Sequence, residues 1–256
     1  MAIFDELAGT LSGSGGSGGS GSEQHPLVLL HGLTFDRRQW APLLTYLPGR
    51  RVLALDLPGH GQSPSQKSYR MPGVADLVNR AVVAAGIDRP IIVGHSIGAI
   101  VATTYASRFP AHAVVNLDQP LLPGPFGALI RNAEETLRGP AWRTVWDGLV
   151  AGMGVDALPT AAWSLVERTS RPRADLLLGY WEEILRCTDA EIEEQRRKDL
   201  TVLADNQTGY RWVSSSRPSS SYEGWLRGAL PDLEITVLEG GHFPHLAHPA
   251  DIASLL

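Results

Sequence analysis

Residues 91–100 read I-I-V-G-H-S-I-G-A-I and lead from an apolar, β-branched segment into small residues that suit a closely packed helix. Residues 94–98 form a G-x-S-x-G pattern between this predicted strand and helix. A sharp turn there would strain the serine, and the glycines on either side are needed where a Cβ would collide with strand or helix. Ser96 would then project beyond the carboxyl end of a sheet, beside the free N–H groups of a helix N-terminus. The stretch therefore predicts an α/β fold with Ser96 as a nucleophile.

The composition is that of an ordinary globular protein. The chain has 256 residues, of which 43% are apolar and 19% are charged, enough for one large α/β domain. A formal charge of −5 without a long basic run argues against a nucleic-acid partner. We find no apolar run long enough to span a bilayer, so no membrane partner is expected. Cys187 is the only cysteine, which excludes an intramolecular disulfide framework and favours a reducing, cytoplasmic location.

Apolar strands alternate with helices on both sides of the serine motif. This alternation predicts a mostly parallel central sheet with helices on both faces, formed by residues 23–120 and 206–256. Strands are predicted at residues 25–30, 51–55, 90–93, 113–117, 210–214 and 234–238. Helices are predicted at residues 36–47, 71–86 and from the serine motif to about residue 109.

Strand patterns are missing from residues 121–205, which instead predict four or five amphipathic helices. An all-helical insertion between two strands of such an alternation is expected to form a cap over the active site. Five of its aromatic side chains stand out, and packing between helices accounts for most of them. They are Phe126, Trp142, Trp146, Trp163 and Trp181.

The residues at the two ends of the chain can be read as parts of one helix. Residues 12–22 are a Gly/Ser linker of the kind used in engineered proteins, and residues 1–11 read as a short helical fragment. Placed after Leu256, residues 2–9 continue an apolar stripe at helical spacing that ends at Gly9. This predicts an engineered circular permutant whose last helix was cut and whose segment 1–11 was relocated. The alternative is an unrelated tag and linker before a truncated enzyme.

The loop after the first core strand reads H-G-L-T at residues 31–34 and can direct an N–H group toward Ser96. We expect the backbone N–H groups of Leu33 and Ile97 to form an oxyanion hole. Four further residues are expected near the substrate pocket, although packing within the turn is the alternative for His95. They are His31, Gly32, His95 and Phe243. No metal constellation or phosphate-binding glycine loop is present in the sequence, so no cofactor is expected.

Four motifs occur in a characteristic order: L-V-L-L-H-G, D-L-P-G-H-G-Q-S, V-G-H-S-I-G-A and G-G-H-F-P-H-L-A-H-P. With them, residues 23–256 resemble the α/β-hydrolase superfamily, specifically the small capped bacterial serine hydrolases and esterases. The resemblance implies an α/β-hydrolase fold, with Ser96 as nucleophile and His242 as general base.

The acidic residue is where the chain departs from the commonest pattern of that family. Most relatives carry it after the penultimate strand, but residues 213–223 read V-S-S-S-R-P-S-S-S-Y-E, with no carboxylate before Glu223. Some relatives place the acid one strand earlier, where this chain has Asp118. We therefore expect Asp118 to complete the triad; the alternatives are Glu223, no acid at all, or an Asp118 that only caps its strand.

Together these features predict hydrolysis of a small carboxylic ester through an acyl-enzyme. The same scaffold also supports a lyase or C–C hydrolase that uses Ser96 and His242 as a proton relay. A third possibility is a catalytically impaired relative that binds a ligand without turnover. The expected assembly is a monomer, or a dimer that exchanges the cut helix.

Overall fold

The computed structural model describes residues 2–13 and 24–256. In this part of the chain eight strands form one sheet, in the order β1-β2-β4-β3-β5-β6-β7-β8. Strands β3 to β8 run parallel, and β2 joins them antiparallel to β4. The strands are β1 (Ala2–Phe4), β2 (Leu7–Ser12), β3 (Leu27–Leu30), β4 (Val52–Leu55), β5 (Ile91–His95), β6 (Ala113–Leu117), β7 (Gly209–Ser214) and β8 (Glu234–Val237). The predicted mostly parallel sheet is confirmed.

Thirteen α-helices accompany the sheet within the described residues. They are α1 (Ala41–Leu44), α2 (Met71–Ala84), α3 (Ile97–Ala106), α4 (Gly124–Asn132), α5 (Glu134–Arg138), α6 (Trp142–Ala151), α7 (Thr160–Thr169), α8 (Ala174–Tyr180), α9 (Glu182–Arg186), α10 (Asp189–Asp205), α11 (Ser220–Ala229), α12 (Pro244–Ala247) and α13 (Pro249–Ser254). Short 3-10 helices occupy Arg37–Trp40 and Val155–Ala157. The first of these and α1 replace the single helix predicted at residues 36–47.

The central strands are apolar on both faces because helices cover both. Every residue of β3, β4 and β5 is buried, as expected for a parallel sheet between two helical layers. On one face α2 and α3 pack in the larger core, which includes Val78 and Val101. On the other face Trp40, Leu43 and Ile252 belong to the smaller core. The sheet therefore holds the ends of β3, β5 and β6 in fixed positions.

The helical conformation predicted for residues 1–11 is wrong for residues 2–11, the part that the structure describes, and the relocation of the segment stays a prediction. Strands β1 and β2 form an antiparallel hairpin, and β2 pairs with β4 from Gly9↔Leu55 to Ser12↔Val52. A helical fragment this short is unstable alone, whereas the edge of β4 offers backbone hydrogen bonds to a strand. Gly9 is not a helix stop: a Cβ there would lie 2.9 Å from Leu55 Cδ2.

The hairpin also removes the support for a permuted chain. Residues 2–12 occupy the first two positions of the sheet order, and α2 anchors their turn because Arg80 binds Asp5 and Glu6. At the other terminus α13 ends at Ser254 without continuing into that segment. The expected assembly, a monomer or a helix-exchanged dimer, stays a prediction. Residues 14–22 of the predicted linker lie outside the described residues.

The chain between β6 and β7 is helical, as predicted, but contains seven α-helices, α4 to α10, all in the described part. Four or five were expected because two pairs of helices read as single periodic runs. Helices α4 and α5 meet at Ala133, and α8 and α9 meet at Trp181; both residues leave helical geometry, with ψ of 0° and 8°. In the residues that the structure describes, no helix combines the length and the apolar character needed to cross a membrane.

Candidate active site

Ser96 lies at the sharp turn between β5 and α3. Its φ of 52° and ψ of −129° are strained for a residue with a side chain. The flanking glycines make the turn possible: a Cβ on Gly94 would lie 2.3 Å from Gly98 O, and one on Gly98 would lie 2.4 Å from Leu30 O. The backbone crossing thus leaves no room for larger residues and presents Ser96 at the carboxyl end of the sheet.

Asp118 occupies the turn after β6, the strand beside β5. Its φ of 54° is also positive, and its N–H donates to Val213 O at 2.7 Å. The carboxylate faces the loop after β8: Oδ2 lies 2.9 Å from His242 Nδ1. Oδ1 accepts a hydrogen bond from the backbone N–H of Ser215 at 2.7 Å. The structure therefore brings together Asp118 and His242, the acid and base expected from sequence.

The surroundings of Asp118 keep its carboxyl group ionised. Burial raises its pKa, but the hydrogen bond and charge of His242 and the Ser215 N–H outweigh burial and leave the pKa below its usual value. An ionised Asp118 requires the proton on Nδ1 of a neutral His242. Nε2 of that tautomer is then an acceptor, as a general base must be.

Glycines and two hydrogen bonds hold the loop that carries His242. Gly240 and Gly241 have φ of 126° and 83°. The N–H of His242 donates to Met153 O at 2.9 Å. On the other side, Nε2–H of His95 donates to His242 O at 2.7 Å. The loop is thus fixed both to the segment after α6 and to the nucleophile turn.

Ser96 and His242 line the same cavity. In the part of the chain that the structure describes, no hydrogen bond joins the Ser96 hydroxyl to His242. Contacts of this kind are often long in the absence of substrate and shorten in the reacting complex. The observed geometry therefore defines a His242–Asp118 pair at the same cavity as the separate, partly buried Ser96.

The two backbone groups predicted for the oxyanion hole lie at the same cavity. Ile97 is the first residue of α3, where the helix leaves its N–H without an intrahelical acceptor. Leu33 follows Gly32, at which a Cβ would lie 3.3 Å from Ser96 Cβ. Leu33 and Ile97 both line the cavity with Ser96.

Two buried histidines support the Leu33 loop from beneath. The ring of His31 donates to Gly32 O at 2.8 Å and accepts from Leu57 N at 3.0 Å. The ring of His60 accepts from Thr34 N at 3.0 Å and donates to Pro58 O at 3.0 Å. Burial lowers the pKa of both rings, that of His60 to about 3. Both are therefore neutral and act by positioning the backbone.

Comparison with known proteins decides the family. The alpha/beta hydrolase family profile matches residues 27–255.

The chain is an alpha/beta hydrolase.

Two curated relatives show the range of activities near this hydrolase. It is 28% identical over 253 residues to a pimeloyl-[acyl-carrier protein] methyl ester esterase of Aromatoleum aromaticum, covering 90% of this chain and 96% of the relative. It is 36% identical over 85 residues to a 2-succinyl-6-hydroxy-2,4-cyclohexadiene-1-carboxylate synthase of an Enterobacter strain, covering 33% of each chain. The curated proteins that this chain matches thus include both an esterase and a synthase.

A solved structure confirms the fold. The structure of AqDC, described as a basis for recognition and ring-cleavage of the Pseudomonas quinolone signal, superposes with a TM-score of 0.78. The match covers 97% of this hydrolase and 93% of AqDC, at 21% sequence identity. At that identity the similarity establishes the α/β-hydrolase fold alone.

The cavity beside Ser96 has a volume of about 640 Å³, within the usual range for small-molecule sites. Its wall is mainly apolar, and the helical segment supplies much of it. Side chains from that segment include Phe126, Leu129, Trp146, Leu149, Trp181 and Ile192. Two charged residues of the same segment, Glu183 and Arg196, also line it. The described residues contain no group of three or more His, Cys, Asp or Glu side chains that could hold a metal ion.

The four predicted pocket residues do not line this cavity. His31, Gly32, His95 and Phe243 are buried beneath the turns and form no part of the cavity wall. The sequence places them next to Leu33, Ser96 and His242, but in the structure all four are buried in the core. Glu223, the alternative acid, pairs instead with Arg227 at 2.9 Å on α11.

Sequence reasoning missed three contributors to the site. The Ser215 N–H that binds Asp118 belongs to the serine-rich stretch after β7, and only a bend of the backbone gives it that role. The ion pair between Glu183 and Arg196 joins α9 to α10 across a turn. Glu183 and Arg196 are 13 residues apart in sequence, and their shared position in the cavity wall depends on how α9 and α10 pack.

Proposed function

We propose that this hydrolase cleaves carboxylic esters through an acyl-enzyme on Ser96. The observation that supports this most directly is the His242–Asp118 hydrogen bond at 2.9 Å, beside a serine held in a strained turn at the same cavity. The esterase relative, which matches over nearly its whole length, supports the same reaction class.

In the proposed reaction, His242 Nε2 takes the proton of the Ser96 hydroxyl as Oγ attacks the ester carbonyl. The negative charge that develops on the carbonyl oxygen is stabilised by the N–H groups of Leu33 and Ile97. Asp118 stabilises the imidazolium that forms, and His242 then protonates the leaving alcohol. Water repeats the sequence on the acyl-enzyme and releases the acid.

We further propose that the segment α4–α10 acts as a cap. Its side chains form much of the apolar wall, and Met153, between α6 and α7, binds the backbone of the His242 loop at 2.9 Å. A cap of this kind would exclude water around the substrate and strengthen the interactions of the reacting groups.

We also propose a cytoplasmic location, with which the single, partly buried Cys187 agrees.

The proposal is tested with p-nitrophenyl esters of short and medium acyl chains. Ser96→Ala should lower kcat by about 10⁴- to 10⁶-fold, since only the binding and oxyanion contributions remain. Rapid acid quenching followed by mass spectrometry should find the acyl group on the peptide that contains Ser96. The exposed Ser254→Ala variant is the matched control and should keep parental activity. Turnover by a folded Ser96→Ala protein would overturn the proposal.

A second candidate is proton abstraction by the His242–Asp118 pair without an acyl-enzyme. It is favoured by the absence of a Ser96–His242 hydrogen bond among the described residues and by the similarity to the synthase. A β-(p-nitrophenoxy) ketone, which releases p-nitrophenol by elimination, distinguishes the two. Elimination that survives Ser96→Ala but disappears in His242→Asn would support this reaction. Loss of ester turnover in both variants supports hydrolysis.

A further inference from the structure

An ion pair lies in the otherwise apolar wall of the cavity. Arg196 on α10, whose side chain is 4% exposed, donates through Nη2 to the carboxylate of Glu183 on α9. Both residues line the cavity that contains Ser96. Removing two charges from water costs free energy even when they pair, so their presence in a cavity wall calls for a role.

The guanidinium of Arg196 has unused hydrogen-bonding capacity. Its Nη1 lies 3.9 Å from Asp199 Oδ2, beyond hydrogen-bonding distance, and Nε has no acceptor among the described residues. Asp199 is engaged through its other oxygen, which accepts from Ser107 at 3.1 Å and Gln195 at 3.0 Å. A buried donor without an acceptor is unfavourable. Nε is enclosed by protein, so Nη1 is the guanidinium nitrogen that could donate to an acceptor on a bound substrate.

The charges around this position select the kind of substrate group. Glu183 binds Arg196 directly and would repel a carboxylate, while Arg196 would repel an ammonium group. Burial raises the pKa of Asp199, and the nearby Arg196 charge only partly opposes that effect. An uncharged group that both accepts a hydrogen bond from Arg196 and donates one to Glu183 fits the pair best.

The cavity that contains Ser96 and this pair is also lined by residues of α3. Ile100, one turn beyond Ser96, lines the cavity, and Ser107, just after α3, binds Asp199. A cavity of about 640 Å³ has room for a substrate that carries an apolar chain of several carbons beside Ile100 and Trp181.

We propose that Arg196 and Glu183 form a specificity site for an uncharged hydroxyl or amide group that the substrate carries at the far end of an apolar chain from its ester. The inference rests on the proposed esterase function and adds a substrate class to it. In the bound substrate, the polar end would accept a hydrogen bond from Arg196 and donate one to Glu183, while the ester lies at Ser96.

The first experiment compares p-nitrophenyl esters of plain, ω-hydroxy and ω-carboxy acids, in a series of about four to ten carbons. The expected result is one chain length at which the ω-hydroxy ester has a kcat/KM roughly tenfold above its plain counterpart, as one satisfied polar contact provides. The ω-carboxy ester should be the poorest of the three at that length. Equal rates for plain and ω-hydroxy esters at every length would overturn the inference.

Substitutions at Glu183 and Arg196 test whether these two residues cause the preference for the ω-hydroxy ester. Glu183→Gln keeps the size of the side chain but removes its charge, so the discrimination against the ω-carboxy ester should fall about tenfold. Arg196→Met should abolish the hydroxyl preference, and folding is checked by circular dichroism. Lys198→Met, an exposed substitution on the same helix that breaks only a pair with Glu194, is the matched control. The assignment is contradicted if discrimination against the ω-carboxy ester is unchanged in folded Glu183→Gln, or if the hydroxyl preference is unchanged in folded Arg196→Met.

Measurements of ligand binding distinguish a failure of the specificity site from a failure of the proposed ester hydrolysis. Calorimetry on Ser96→Ala with plain and ω-hydroxy methyl esters should show a roughly tenfold lower Kd for the hydroxylated ligand. If no ester is turned over but this difference in Kd is found, the proposed hydrolysis fails and the specificity site stands. If esters are turned over but the two ligands bind equally, the specificity site fails and hydrolysis stands.

Discussion

The strand-end turns and the helical segment face each other across one cavity but are held in place by different means. The turns after β5 and β6 are fixed by backbone hydrogen bonds, from Ser96 N to Leu117 O at 3.1 Å and from Asp118 N to Val213 O at 2.7 Å. The segment α4–α10 instead contributes packed side chains, among them Trp146 and Trp181. Backbone-fixed groups suit chemistry that needs precise geometry, whereas packed side chains can change without moving that geometry. Substitutions in the turns should therefore alter rates, and substitutions in the helices should alter substrate preference.

After Ser96 itself, the largest effect should come from the turn after β6. Asp118→Asn should lower kcat by about 10²- to 10⁴-fold, because an amide cannot stabilise the His242 imidazolium and favours the wrong tautomer. Asparagine tolerates a positive φ, so the turn should remain folded. The measurement is the kcat of ester hydrolysis, together with thermal unfolding. Glu223→Gln is the control, and an equal loss of activity in that variant would move the acid away from Asp118.

A smaller effect should follow from loosening the His242 loop. His95→Phe removes the Nε2–H that donates to His242 O, while filling a similar volume, and should lower kcat about tenfold with KM unchanged. His95→Gln places an N–H near the same position and should recover much of the rate. Steady-state kinetics on both variants tests this. A shared loss in Phe and Gln variants would assign His95 to packing alone.

In the helical segment the expected effect is on selectivity. Leu129 on α4 lines the cavity and is 46% exposed, so Leu129→Ala should cost little stability. The kcat/KM of medium-chain esters should fall about threefold to tenfold through lost apolar contact, while that of acetate esters stays unchanged. Val202→Ala, which lies outside the cavity wall on α10, provides the control. An equal loss for both chain lengths would show that the helices also set the reacting geometry.

The smallest effect on activity should come from the buried support of the turns. His245 packs between Trp40 and His95, at ring distances of 4.6 and 4.5 Å. Burial lowers its pKa to about 3, against about 6.5 in an unfolded chain. As the pH falls from 6.5 toward 3, the unfolded chain therefore binds a proton that the folded protein does not.

The proton taken up by His245 only in the unfolded chain lowers the free energy of unfolding by about 1.4 kcal/mol for each pH unit of acidification over this range. His245→Phe should remove that share of the slope while changing kcat at neutral pH less than about twofold. Urea unfolding of both proteins between pH 6 and pH 4 measures the slopes. Parallel slopes would mean that His245 is protonated in the folded protein, and a large loss of kcat would give it a part in the reaction.

Patterns that are local in sequence were sufficient for the sheet and for the position of Ser96. The strand-turn-helix order, the flanking glycines and the apolar runs all act within a few residues. The Asp118–His242 contact was expected from the resemblance to the α/β-hydrolase superfamily, in which some members place the acid where this chain has Asp118. The hairpin of residues 2–12 was missed because its partner, β4, is distant in sequence. Likewise, the sequence does not specify on which side of the backbone the cavity lies, so it could not show that His31 and Phe243 are buried away from it.

The insertion of a helical segment between two paired strands also has a consequence for chain entropy. Strands β6 and β7 pair in register from Ala113↔Gly209 to Leu117↔Val213, so their pairing closes a loop that contains residues 118–208. The entropic cost of such closure grows only logarithmically, and doubling the loop would add about 0.6 kcal/mol. The sheet therefore tolerates intervening helices of very different length. Exchanging that segment for another offers a way to change the cavity while the two strands keep their alignment.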